Sequence, residues 1–352
     1  MYNNFYTKEN HPIAKDLNLL ISNLKKLKRI RGSNFFIMYF FLITFVKLHD
    51  TLRKNKTILK TYNLLIKSII QEVKNTTSGI DKFGFKKNQS NSKDFDTPQY
   101  YGNLFTKFSN WHYFVEPKKL LFERLKKNKI NLKIFKNSNL IDYGCGNGRY
   151  TQALRNLRCK NIIGFDKSKK NISTARNNNK FKNINFIIGD VLKNKLPKNK
   201  FDIVYCNGVL HHTKSILLGL QNIHRILKIN GHCLIMLVST GGVKWAFIEA
   251  FREIFKKFDK IYAQNFLEFS GLDKNKVFYL MDHVFVKHNT LTSIKEVENL
   301  FKKANLKIVK KMNRGVGFDD TERIHKVKSI LKKKHIYNLY GNGEHRYLLK
   351  KI

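Results

Sequence analysis

The stretch Ile141-Asp142-Tyr143-Gly144-Cys145-Gly146-Asn147-Gly148 limits the possible folds of this chain more than any other. Apolar residues of strand character run into three alternating glycines, and Arg149–Leu157 then reads as a helix. Glycine lets the backbone turn tightly and lets a ligand approach without a Cβ in the way. The helix that follows offers unpaired N–H groups and a partial positive charge at its N-terminus. Dinucleotide-binding loops space their glycines G-x-G-x-x-G and seat a pyrophosphate. Here the spacing is G-x-G-x-G, with Asp142 two residues before the first glycine. An acid in that place repels a pyrophosphate and suits an ammonium group.

A regular alternation surrounds the loop. Strands are expected at Leu140–Tyr143, Asn161–Asp166, Ile184–Gly189, Phe201–Cys206 and His232–Val238, the last after an Asn230-Gly231 turn. Helices are expected at Lys170–Asn178 and Ser215–Leu227. The pattern resumes with helix Ile294–Ala304 and strands Leu306–Lys311 and Arg346–Lys350, with Gly341–Arg346 read as a hairpin turn. Strands alternating with helices of this length imply parallel pairing with right-handed crossovers. The expected fold class is α/β: a Rossmann-like, seven-stranded, mostly parallel sheet with helices on both faces. Residues 1–95 form a basic helical N-terminal extension, whose end at 76–97 reads as a linker. Residues 96–352 form the main domain, with an inserted helical lid at about 240–290.

Three acids close three consecutive strands at the carboxyl edge of this sheet, where such folds bind ligands. Besides Asp142, Asp166 can accept from both hydroxyls of a ribose, and Asp190 can accept from an adenine amino group. Together with the loop, these residues resemble the class I S-adenosylmethionine-dependent methyltransferases, closely over 138–238 and loosely over 290–352. The resemblance implies S-adenosyl-L-methionine as cofactor. Asp142, Gly144, Cys145, Gly146 and Gly148 would hold its methionine end, and Asp166, Asp190 and Val191 its ribose and adenine. Asn207, closing the fourth strand, would border the transferable methyl. His224–Gly231 is similar to the family's R-x-L-K-P-G-G turn, with Ile229-Asn230 in place of Pro-Gly.

Methyl transfer is lowered in barrier by orienting the nucleophile and excluding water, and a base helps when that nucleophile carries a proton. His211 and His212 follow the fourth strand and are the candidate catalytic residues, able to take a proton or to orient the acceptor. Asp282, His283, His288 and Arg314 are further polar candidates for the acceptor side. Trp111, Tyr100 and Tyr101 are candidates for covering the cofactor.

The chain of 352 residues carries 68 Lys+Arg against 25 Asp+Glu, a formal charge of +43. Such a potential favours polyanions, whether nucleic acid, anionic lipid or an anionic small-molecule acceptor. Cys145, Cys159, Cys206 and Cys233 match neither a zinc pattern nor a disulfide framework, so no metal is expected and a reducing cytoplasm fits. The apolar run Phe35–Val46 follows the basic stretch Lys25–Arg31. It is shorter than the roughly 20 residues needed to span a bilayer, so it reads as a buried helix, with peripheral membrane contact through 25–46 as the alternative. The leading expectation is a methyltransferase acting on a small or medium-sized metabolite, sugar or lipid. The paired-histidine turn also resembles the tRNA wobble-uridine methyltransferases, but no RNA-binding module is visible. A cofactor-binding scaffold without catalysis is the remaining alternative.

Overall fold

The computed structural model describes residues 11–30, 32–53, 59–82, 109–179, 181–256, 258–314 and 333–352. The chain divides into two compact units. Residues 1–94, 240–286 and 324–341 make a helical unit, and 95–239, 287–323 and 342–352 make a sheet unit.

In chain order the helical unit supplies α1 (Ala14–Leu27), α2 (Asn34–Arg53) and α3 (Leu59–Lys82). The sheet unit then begins with a single wide turn, Trp111–Val115, leading into α4 (Glu116–Lys127). β1 (Asn139–Tyr143), α5 (Arg149–Leu154), β2 (Asn161–Asp166), α6 (Lys169–Asn177) and β3 (Ile184–Ile188) follow. β4 (Phe201–Asn207), α7 (Ile216–Ile226) and β5 (Leu227–Val238) complete the parallel part. The chain then returns to the helical unit for α8 (Gly242–Phe255), α9 (Lys260–Phe269) and α10 (Lys274–Val284). α11 (Ile294–Lys303) and β6 (Leu306–Met312) belong to the sheet unit, α12 (Lys333–Tyr340) to the helical one, and β7 (Glu344–Lys351) closes the sheet.

The seven strands are ordered β3-β2-β1-β4-β5-β7-β6, with β7 antiparallel to both its neighbours and the others parallel where they meet. The expected α/β sheet is therefore present. Alternation along the strands sends Ile141, Tyr143, Val204 and Cys206 into one core with α7 and α11. Leu140, Ile203 and Tyr205 enter the other with α4 and α5. Burial of both faces explains why the strands read as almost continuous apolar runs.

Several boundaries differ from the sequence reading, each for a local reason. β5 begins at Leu227, which pairs with Phe201 before the register jumps to Ile203 opposite His232. The Asn230-Gly231 turn is thus a protrusion within the strand, and Asn230 adopts a φ of 65° there. Residues 76–82 are not linker but the last turns of α3, where Ile80 is buried. The remainder of the expected linker, 83–97, lies outside the described residues. The expected hairpin at Gly341 is instead a helix end: Gly341 N–H donates to the Tyr337 carbonyl, and α12 buries Ile336, Leu339 and Tyr340.

The helical unit joins segments that the sequence reading kept apart, with 240–286 clustering with 1–94. α1 buries Leu17, Leu20, Ile21, Leu24 and Leu27, the 3-to-4 rhythm of one helix face. Lys28 Nζ donates to the Ile254 carbonyl at 2.6 Å, tying the end of α1 to α8. Phe41 of α2 packs against Phe251 and Phe255 of α8, ring centres 5.0 and 5.1 Å away. Among the described residues, no helix is long and apolar enough to cross a membrane.

Candidate functional site

The loop between β1 and α5 folds back over the end of β2. Gly144 N–H and Cys145 N–H both donate to the Phe165 carbonyl, at 2.7 and 3.1 Å. Gly144, Gly146 and Gly148 have φ of 88°, 54° and 84°, in the left-handed region that side chains disfavour. At Gly144 a Cβ would lie 2.4 Å from Val209 Cγ2, so the residue must be glycine for the turn after β4 to pack on the loop. Cys145 is buried in the core beside α5, and burial pushes its thiol well above the ordinary range. Its thiol packs within that core.

The three acids take different environments. Asp142 is buried and accepts the Thr151 hydroxyl at 2.6 Å, which fixes it to the first turn of α5. Burial pushes its carboxyl up to about 7, and the nearby Asp166 charge adds to that rise. Asp166 accepts from Gly146 N–H at 2.9 Å and Ser168 N–H at 2.8 Å. Burial raises its carboxyl, and these bonds pull the other way. Asp190 accepts from Leu192 N–H at 2.8 Å and pairs with Lys167 at 3.2 Å. The Val191 carbonyl is held by the Tyr143 hydroxyl at 2.7 Å and by Asn222 Nδ2 at 3.0 Å. The loop and the ends of β1, β2 and β3 thus form one hydrogen-bonded rim of acids, with Asp142 buried and Asp166 and Asp190 half-buried, and left-handed glycines.

At the end of β4, Asn207 Oδ1 accepts from Arg346 Nη1 at 2.8 Å. Arg346 also donates to Glu344 through Nε at 2.8 Å. His211 and His212 follow in a short helical turn, ring centres 4.0 Å apart. His211 is buried, and its carbonyl accepts from Thr290 N–H at 2.8 Å. His212 Nδ1 donates to the His288 carbonyl at 3.0 Å. Because a carbonyl only accepts, the neutral His212 ring carries its proton on Nδ1 and its lone pair on Nε2. Between these anchors, both amide atoms of Asn289 are buried without a hydrogen-bond partner among the described residues.

The remaining candidates take other partners. His288 contributes its carbonyl, and Arg314 pairs with Glu344 at 3.3 Å in the sheet unit. Asp282 and His283 belong to the helical unit, where the His283 ring packs on Trp245 and Tyr279 at 5.0 and 4.6 Å. Tyr100 and Tyr101 lie outside the described residues, and Trp111 is exposed. The aromatic that does reach the loop is Tyr113, whose hydroxyl donates to the Asn147 carbonyl at 2.5 Å. The sequence reading missed it, along with Val209, Asn289 and Arg346. Tyr113 lies two residues from the candidate Trp111; the other three depend on long-range packing that no local pattern announces.

A family model described as "Methyltransferase domain" matches residues 134–343. The chain is 28% identical over 180 residues to a demethylmenaquinone methyltransferase of Bacillus licheniformis, covering 49% of this chain and 72% of the relative. It is 38% identical over 96 residues to a tRNA U34 carboxymethyltransferase of Helicobacter pylori, covering 26% of this chain and only 36% of the relative. Among solved structures, it is similar to an S-adenosylmethionine-dependent methyltransferase of Aquifex aeolicus. That match has 15% identity, a TM-score of 0.42, and covers 74% of this chain and 100% of the other.

Proposed function

Because this chain belongs to the class I S-adenosylmethionine-dependent methyltransferases, we propose that it methylates a small or medium-sized acceptor, a metabolite, sugar or lipid, at the carboxyl edge of the sheet. The observation that carries this reading is the continuous rim from the left-handed glycine loop through Asp142, Asp166 and Asp190. S-adenosylmethionine, when bound, supplies a methyl group on a sulfonium, open to in-line attack. Asp142 and the loop suit its cationic methionine end, and Asp166 and Asp190 suit its ribose and adenine. Burial without an opposite charge is what holds the Asp142 carboxyl near 7, and a cation beside it favours the ionised form.

On the acceptor side, His212 is the better placed of the two histidines. Its Nδ1–H is fixed on the His288 carbonyl, so Nε2 is the atom able to take a proton from a hydroxyl or amine nucleophile. Buried His211 positions the turn, and the Asn289 amide offers a donor and an acceptor for orienting the acceptor. The demethylmenaquinone methyltransferase, by its name, acts on demethylmenaquinone, which supports a small or medium-sized acceptor.

RNA is the second reading, favoured by the charge of +43 and the partial match to a tRNA enzyme. One experiment addresses both. The protein is incubated with methyl-labelled cofactor and separate lipid, metabolite and tRNA fractions. Label in the lipid or metabolite fraction is the expected result, whereas label in tRNA alone would replace the leading reading with the second. In the same preparation, S-adenosylmethionine or its demethylated product should raise the melting temperature and NAD should not. The reverse outcome would overturn the cofactor assignment.

A further inference from the structure

The helical unit keeps an aromatic ridge outside its core. α2 is apolar on nearly every side, yet only one side is covered: Ile37, Met38, Phe40 and Phe41 are buried, while Phe35, Phe36 and Tyr39 are exposed. On α9, Tyr262, Phe266 and Phe269 follow one another at intervals of four and three residues and so lie along one face. The two helices meet at this face, with the Phe35 and Phe266 rings 5.5 Å apart in an edge-to-face contact. Their exposed rings therefore form one surface. Phe35 is 51% and Phe269 90% exposed, an arrangement in which water gains nothing and which marks a contact surface.

The surroundings decide what covers it. From Leu24 to Lys47 the sequence has six basic residues and no acidic one. Lys25, Lys26 and Arg29 are exposed at the end of α1 and Lys47 on α2 beside Val46, while Lys28 is turned inward to the Ile254 carbonyl. Of the acids on and next to α9, Asp259 caps the helix N-terminus and Glu268 accepts from the neutral Gln264 amide; both keep their charge, and the exposed Lys25, Lys26, Arg29 and Lys47 outnumber them. A second copy of a chain with charge +43 would bring lysines against lysines. A nucleic-acid duplex would answer the charge but, with its bases already stacked on one another, would leave the rings in water. A bilayer with anionic headgroups answers both, attracting the lysines at its surface and taking the rings into its interface. We propose that the α2–α9 ridge docks this protein on an anionic membrane surface, with the Phe35 and Phe269 side chains inserted among the lipids. The proposal does not depend on which acceptor is methylated.

The test is co-sedimentation of the full chain with phosphatidylcholine vesicles made with and without phosphatidylglycerol. The expected result is binding that requires phosphatidylglycerol, weakens with salt and retains a salt-resistant part. The double variant Phe35→Ser/Phe269→Ser alters only exposed positions and loses the ring contacts of Phe35, so its melting temperature should fall only slightly while its partition coefficient falls by about tenfold or more. Wild-type protein left in the supernatant, or a double variant that partitions as the wild type does, would overturn the proposal. So would wild-type binding abolished by salt to the level of the variant, which would leave charge alone at work. A wild-type dimer in solution that the double variant converts to monomer, without vesicle binding, would assign the ridge to self-association instead.

Discussion

The backbone N–H of Gly146 donates to Asp166 Oδ2 at 2.9 Å, so the acid that closes β2 is also a fastener of the loop that follows β1. Sequence spacing offers Asp166 to a ribose alone. In the structure its other oxygen also holds Ser168 N–H at 2.8 Å. Asp166→Ala is therefore expected to act twice. Cofactor affinity should fall by about 2–3 kcal/mol through lost charge-assisted bonds, and stability by about 1–3 kcal/mol through two unpaired N–H groups. Calorimetric titration and chemical denaturation measure the two separately. An unchanged dissociation constant would place the ribose elsewhere.

Asp142 carries a pH dependence of unusual sign. Its carboxyl is pushed up to about 7 by burial, above the ordinary carboxylate range, so the native state holds the proton more tightly than the unfolded chain does. The protonated form carries no penalty below pH 4, and destabilisation grows as pH rises from there to about 7, then levels off. Asp142→Asn keeps an acceptor for the Thr151 hydroxyl and removes the ionisation. It should raise stability by about 1–3 kcal/mol at pH 8 and leave it unchanged at pH 4. The same variant should lose stabilisation by S-adenosylmethionine. Melting curves at the two pH values, with and without cofactor, check this; a variant less stable at pH 8 than the wild type would refute it.

Two glycines with similar backbone angles should respond differently to alanine. Gly144 and Gly208 have φ of 88° and 79°, so both lose roughly 1–2 kcal/mol to the left-handed conformation. A Cβ at Gly144 meets Val209 Cγ2 at 2.4 Å, whereas at Gly208 nothing lies within 4 Å. Gly144→Ala should therefore lose a further 1–3 kcal/mol, roughly, to overpacking. Equal melting temperatures for the two variants would mean that the turn after β4 does not rest on the loop.

What the sequence made legible follows from how local each signal is. The glycine loop and the acids at the strand ends are encoded within a few residues, and they stand where the spacing put them. Most strand ends fall within one residue of expectation. The extra turns of α3 were hidden because Thr76, Thr77, Ser78 and Gly79 have loop-like propensity, and buried Ile80 overrides it. The Arg346–Asn207 bond joins positions 139 apart, and only the pairings of β4 with β5 and of β5 with β7, both through Met236, bring them together. The exposed ridge was half legible: the run 35–46 stands out in the sequence, but its continuation on α9 requires the fold.

That long-range bond should matter for the end of β4. Arg346 is buried, donating to Asn207 and through both Nε and Nη2 to Glu344. Removing one partner of a buried pair commonly costs about 3–5 kcal/mol. Arg314 remains 3.3 Å from Glu344 and shares its charge, which places Arg346→Ala toward the lower end of that range. Arg346→Lys should recover little, since one ammonium cannot reproduce a fork to two residues. Denaturation midpoints test this, and full stability in the lysine variant would show that charge alone is needed.

The paired histidines separate by what each side chain does. His211 is buried and its backbone, not its ring, meets Thr290, so His211→Ala should lower stability and turnover together while cofactor affinity stays nearly intact. His212 instead spends Nδ1–H on the His288 carbonyl. His212→Asn can keep a donor to that carbonyl while removing the Nε2 lone pair. If Nε2 is the base, kcat should fall by roughly 10²–10⁴ with cofactor affinity and melting temperature little changed. Added imidazole should restore part of the rate in His212→Asn and none in His211→Ala, because only the first lacks a proton acceptor in an otherwise intact site. Wild-type turnover in His212→Asn would remove His212 from the chemistry, and a loss with no imidazole rescue and a lowered melting temperature would make it a structural residue of the turn.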